Sequence, residues 1–333
     1  MSHEIEERDS QTGIEQAWHG ETIVVETITK ENSGIIYGME TRPLYIKKSD
    51  GTDVETGHKQ IVSLDDELPI GKPVSDGYCL IDNNRIFDLF SDALAGMKHQ
   101  IVSVGTVCDR SKGFVSIKLD EAFQAASRNT EPLLNILWGH GGNISLIARS
   151  GFVVTVCANT FAVNLGKKGK DFNLSLKHTK NALDRIDNMG KAIELHAGVA
   201  AEFQLAMDSF EAQPCDEENA RKIVSGIITP ITFERDLNVA TRTRNNINRI
   251  VELYATGAGN SGKNLADVFN GATDYYSHES SGGDTNRTKQ FVSSEFGSGQ
   301  NMKEVFFDAL SDEDSLATVK ARGEKIMMAI AAN

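Results

Sequence analysis

Long apolar runs and paired cysteines are both missing from this chain, and each absence removes a class of protein. No stretch of the 333 residues is apolar enough to suggest a membrane span, and the acidic, polar start MSHEIEERDSQTGIEQ is unlike a secretory signal. Cys79, Cys108, Cys157 and Cys215 lie far apart with no Cys-x-x-Cys pair, unlike most structural zinc sites; this predicts a reduced, cytoplasmic protein. Cations are scarce: 34 Lys and Arg against 47 Asp and Glu leave a net charge of −13, which argues against coating duplex DNA by bulk electrostatics. Aromatics are 7% of the chain, and most must serve the core.

What is present is a series of short apolar runs followed by helical periodicity. TIVVETI (22–28), IVSVGTV (101–107), GFVSIKL (113–119), LLNILW (133–138), NISLIA (143–148), FVVTVCA (152–158) and FNLSLKHT (172–179) predict strands, and IIYGMETRPLYIKK (35–48) predicts two more. The short polar links Cys108–Lys112 and Arg149–Gly151 suit antiparallel hairpins, since parallel strands need long crossovers. SDGTDVETGHK (49–59) has the composition of an exposed turn region. Asn83–Gly96 has helical spacing. From Lys180 the period switches to three-and-four, predicting one long helix to about Phe210. Further helices are expected after an Asp216 cap up to Pro230, over roughly 233–256, from Asn264, and over about 300–310 and 314–331. Strands first and helices afterwards predict an α+β fold: an acidic arm (1–21), a mainly antiparallel twisted sheet region (22–179), and a helical region (180–333) packed on the sheet or forming a second subdomain.

Chemistry concentrates at the predicted strand ends. The loop Gly139-His140-Gly141-Gly142-Asn143 could turn backbone N–H groups toward a phosphate, which makes His140, Gly141, Gly142 and Asn143 a candidate phosphate site; a plain hairpin loop would look the same. Asn159, Thr160, His178, Thr179, Asp274 and His278 form a candidate polar set, with Asp274 and His278 at the i, i+4 spacing of a helical pair. No catalytic residue, metal ligand set or cofactor motif is complete, so a non-enzymatic protein without a cofactor is the leading expectation.

Two cationic features stand out. Residues 166–191 hold Lys167, Lys168, Lys170, Lys177, Lys180, Arg185 and Lys191 against three Asp. Arg235, Asn238, Arg242, Asn245 and Arg249 recur at three-and-four spacing, forming one stripe of guanidinium and amide donors on a helix. Such donors grip phosphates and base edges, although a solvated helix face carries similar residues.

Taken in order, Ala17-Trp18-His19-Gly20, the His-Gly loop at 140–142, VVTVCANTF, Lys177-His178-Thr179 and NGATDYYSH resemble the phage/plasmid-like protein family, a family of unknown function, over roughly 17–310. The central loop departs from the family pattern, with Gly139, Gly141 and Asn143 where Ser, Asp and Ser are expected. The resemblance implies a mobile-element protein in a bacterial host, near DNA replication, recombination or defence evasion. The leading expectation is a single-stranded DNA-binding protein in a Rad52-like annealing role, possessing a homo-oligomeric form and a host or phage DNA-processing partner, with no membrane partner. Two alternatives stay open: a metal-dependent enzyme acting on nucleotides or nucleic acid, and an acidic interaction protein that occupies a host factor.

Overall fold

The computed structural model describes residues 8–14, 22–95, 98–119, 130–142, 144–154, 159–162, 174–176, 178, 202–230, 238–281 and 286–332. Its strands are β1 Ser10–Gly13, β2 Ile23–Val24, β3 Met39–Lys47, β4 Asp53–Ser63, β5 Pro69–Ser75, β6 His99–Val107, β7 Lys112–Leu119, β8 Thr130–Gly139, β9 Leu146–Val154, β10 Asn159–Ala162 and β11 Leu174–Leu176. Its helices are α1 Asn83–Ala93, α2 Glu217–Ile228, α3 Thr241–Thr256, α4 Leu265–His278, α5 Arg287–Phe296, α6 Ser298–Ser311 and α7 Glu313–Ala332, and residues 202–212 are helical as well. The protein is α+β. The described registers are antiparallel except for the parallel β1–β2 pair. Among the described residues no helix is long and apolar enough to cross a membrane.

The chain divides into two compact units, one of 1–122, 132–150 and 169–198, the other of 123–131, 151–168 and 199–333. In the first unit the large sheet runs in the order β9-β8-β7-β6-β1-β2, with β11 against β9, and a smaller sheet runs β3-β4-β5. Alternation decides which face is buried. Val115 lies across from Ile136 and Ile117 across from Leu134, so every second residue points the same way. Those side chains, with Val104 and Trp138, form one core with Ile86 and Phe90 of α1 and with its C-cap Leu94. Gly113 faces Trp138, and a Cβ there would overlap the indole ring, so the strand leaves room for it. Asp82 caps α1 by accepting from the Arg85 amide.

Several elements differ from the sequence expectation. Ser10–Gly13, expected in a loose arm, pairs with β6, where Thr12 is fully buried and donates to the Asn32 and Ser33 carbonyls. Residues 35–48 give one strand, since β3 passes through Pro43 at a bulge. Residues 53–59, expected as exposed turn, belong to β4; its first half is exposed on both faces and so carries no apolar alternation to reveal it. TIVVETI contributes only the two-residue β2, and Pro69–Ser75 forms β5. Arg149–Gly151 is no hairpin link: β9 runs straight through it, and Gly151 is not among the glycines with positive φ. The β6–β7 hairpin is as expected. Its turn residues Cys108, Asp109 and Arg110 all have positive φ (59°, 56° and 62°), and the Asp9 carboxylate accepts from the Arg110 amide at 2.7 Å.

Among its described residues, the second unit holds the start of β8, the end of β9 and β10, where Gly151–Val154 pairs with β10, and α2 to α7. Asp216 caps α2 and Asn264 opens α4, both as the sequence predicts, and Asn264 with Asp267 forms a reciprocal capping box there. The described part of the expected helix from 233 begins at Thr241, with Asn238–Ala240 outside it, and α5 was not foreseen. Residues 180–201 of the expected long helix lie outside the described set. Phe203, Phe210, Phe269 and Phe307 meet in an aromatic cluster with ring centroids 5.6–6.4 Å apart.

Candidate functional site

In the first unit, His140 and His178, 38 positions apart in the chain, come together with ring centroids 6.5 Å apart and planes at 63°. His140 ends β8 in a loop pinned at both sides. Its amide donates to the Ser111 carbonyl at 2.8 Å, and a Cβ on Gly71, which has φ +63°, would lie 2.7 Å from the His140 carbonyl oxygen. His178 is fixed by its own carbonyl, which accepts from the Cys79 amide at 3.0 Å. Its ring stacks on Tyr78, with centroids 4.9 Å apart and planes at 13°.

Asn83, the first residue of α1, organises the rear of the site. Its side-chain amide donates to the Ile35 carbonyl at 2.8 Å, which leaves Oδ1 facing two ring nitrogens: Trp138 Nε1 at 2.9 Å and His140 Nε2 at 2.8 Å. An amide oxygen only accepts, so His140 carries its proton on Nε2 and presents a lone pair at Nδ1. Asn83, Trp138 and His140 are all fully buried. Among the described residues, His140 Nδ1 and both ring nitrogens of His178 have no hydrogen-bond partner. An unmet buried polar atom costs about 1–3 kcal/mol, so this cluster carries an unsatisfied demand for ligands.

Burial, with a smaller contribution from the neighbouring His178, holds the His140 pKa down at about 3. Burial lowers His178 as well; the Cys79 backbone opposes this, although no hydrogen bond of normal geometry forms. Both imidazoles are therefore neutral at physiological pH. The unfolded chain takes up protons at these rings below the ordinary value of 6.5 and the folded chain does not, so stability rises with pH through that window and is level above it. His140 alone contributes a slope of about 1.4 kcal/mol per pH unit between its two pKa values. Urea denaturation is expected to give a free energy about 2 kcal/mol lower at pH 5 than at pH 8 from this ring, with His178 adding in the same direction. Equal values at the two pH values would show that the rings are solvated.

The cluster opens into a cavity of about 580 Å³, on whose wall lie Tyr78, His178, Ser75, Val74, Gly141 and Gly142. Gly142 has φ +72°, which a residue with a side chain adopts only with strain. Tyr78, Asn83 and Ser75 carry no motif in the sequence; a tyrosine in DGYC and an asparagine after a helix cap look ordinary. The glycine loop was the legible part.

The other predicted residues are distributed differently. Lys167, Lys168, Lys170, Lys177, Asn143, Thr179 and Arg235 lie outside the described residues, as does Cys157. Asn159 and Thr160 are on β10, in the second unit. Asn238 precedes α3, so among the described residues of the expected donor stripe Arg242, Asn245 and Arg249 are helical and Asn238 is not. Arg242 and Asn245 are exposed. Arg249 is engaged by acids: Glu279 accepts from Nε at 2.8 Å and Nη2 at 2.7 Å, and Glu252 lies 2.8 Å from Nη1. These carboxylates raise its pKa and neutralise it. Asp274 and His278 belong to the same charge cluster on α4; burial raises the Asp274 pKa, opposed by His278 and Arg249. Among the described residues no three His, Cys, Asp or Glu gather as metal ligands.

Fold and cavity together define an α+β protein with a two-histidine, ligand-sized pocket on its sheet unit. The chain belongs to the family described as Domain of unknown function (DUF932), whose model matches residues 72–303 and so takes in Tyr78, Asn83, His140 and His178. Neither a curated protein nor a solved structure matches it.

Proposed function

We propose that this protein binds single-stranded DNA, in the annealing or recombination setting that its resemblance to phage and plasmid proteins implies. The observation that carries the reading is the convergence of the stacked Tyr78–His178 pair and the Gly141–Gly142 loop on one cavity. Aromatic platforms hold unpaired bases without needing a basic surface, which suits a chain of net charge −13. Exposed Arg242 and Asn245 on α3 are further donors for a strand's backbone, whereas Arg249 is already neutralised. Loss of the three-way acid contact would be needed to free it.

Fluorescence anisotropy with labelled oligonucleotides over a salt series tests the proposal. Tyr78→Ala is expected to weaken binding about tenfold or more at every salt concentration, since stacking is worth about 1–3 kcal/mol per base. Arg242→Ala is expected to reduce the salt slope by about one. Absence of binding by the unmodified protein even at the lowest salt would end the proposal.

A further inference from the structure

We propose that the cavity beside Tyr78 and His178 receives a nucleobase, and that the phosphates of the ligand stay outside it. This rests on the single-strand reading above and adds which part of the nucleotide is recognised.

The wall offers what a flat ring needs. Tyr78 and His178 lie nearly parallel, and Pro73, Val74 and Ile144 supply apolar surface around them. Its described lining contains no Lys, Arg, Asp or Glu; the polar groups are the hydroxyls of Ser75 and Ser145 and the rings of His58 and His178. His58 is exposed at the rim, whereas His178 is 7% exposed.

The unmet hydrogen bonds then discriminate between ligands. A neutral imidazole has one N–H donor and one lone pair, and among the described residues neither nitrogen of His178 has a partner of normal hydrogen-bond geometry. A ligand that meets either nitrogen must accept or donate according to the tautomer, and a group that does both suits either one. The edge of a nucleobase does both, because ring nitrogens or carbonyl oxygens sit beside N–H groups. A phosphate only accepts, so it suits the ring's N–H alone, and it would lose its hydration with no Lys or Arg on the described wall to offset the loss. His140 cannot supply that cation, because its proton is committed to Asn83 and its ring is buried behind the cavity wall. The glycine loop therefore forms an edge that the sugar-phosphate passes, and the phosphate role expected of His140 from sequence gives way to one of positioning.

Competition against a labelled oligonucleotide bound to the full chain tests this. Nucleosides and their mono- and triphosphates are expected to displace it with affinities within about threefold of one another and with little salt dependence, since no phosphate contact forms in the pocket. Inorganic phosphate and pyrophosphate are expected not to compete. His178→Phe, which keeps a stacking ring but removes both nitrogens, should weaken nucleoside binding about tenfold. Displacement by pyrophosphate, affinity that climbs steeply with each added phosphate, or His178→Phe binding nucleosides as well as the unmodified protein would overturn the base pocket while oligonucleotide binding itself persists. The nucleoside and pyrophosphate measurements need no variant, so the test stands even if His178→Phe folds poorly. If no oligonucleotide binds at all, the single-strand reading fails, and the base pocket fails with it.

Discussion

Asn83→Ala is expected to cost about 4 kcal/mol of stability, because one small side chain satisfies three buried groups at once. The Trp138 N–H, the His140 N–H and the Ile35 carbonyl all lose their partner, and each stranded group costs about 1–3 kcal/mol. Urea denaturation reads the loss directly. A second substitution separates the hydrogen-bond role from mere volume. Asn83→Asp keeps an acceptor for both rings but places a carboxylate against His140, which favours the charged imidazolium. The His140 titration should then move up from about 3 toward the ordinary range, followed by ring-proton chemical shifts across pH. A loss below about 1 kcal/mol for Asn83→Ala would mean that water replaces the amide, contrary to the fully buried surroundings.

Gly323→Ala is expected to destabilise the helical unit by about 3 kcal/mol, against the direction of helix propensity. Within that unit α2 and α7 cross backbone to backbone: a Cβ on Gly323 would overlap the Lys222 carbonyl, and one on Gly226 would overlap the Val319 carbonyl. The close approach lets the Arg322 guanidinium donate to the carbonyls of Gly226, Thr229 and Pro230 at the end of α2. It also seals Ile326, which is fully buried with Val239. Alanine gains about 1 kcal/mol over glycine as a helix former, but forcing rigid backbone apart costs about 1–3 kcal/mol and forfeits the Arg322 contacts as well. Overpacking therefore wins. Thermal denaturation showing a stabilised variant would mean that the helices have room to move apart.

Much of the framework was legible in residues close together in sequence. The Asp216 cap, the Asn264 capping box and the α1 spacing of Ile86, Leu89 and Phe90 are local signals, and each marks an element that exists. The failures share one cause. Arg149–Gly151 and residues 53–59 look like turns because their composition is polar and glycine-bearing, yet pairing with a neighbouring strand, as at Gly151 with Ala162, is something composition does not show. Thr12 is buried in a stretch whose charge suggested a free arm, because the sheet edge gives its backbone a partner.

By itself the sequence determined the α+β order of elements, the absence of a complete catalytic or metal motif, the glycine loop and the likeness to an uncharacterised family. Only the tertiary structure decided that His140 packs against His178 beside a cavity, that Asn83 fixes the proton on one ring, and that Arg249 is spent on Glu279 and Glu252. Local pattern says which side of an element avoids water. Which distant side chains meet, and whether burial strips them of charge, depends on strand order, register and the depth of packing above them.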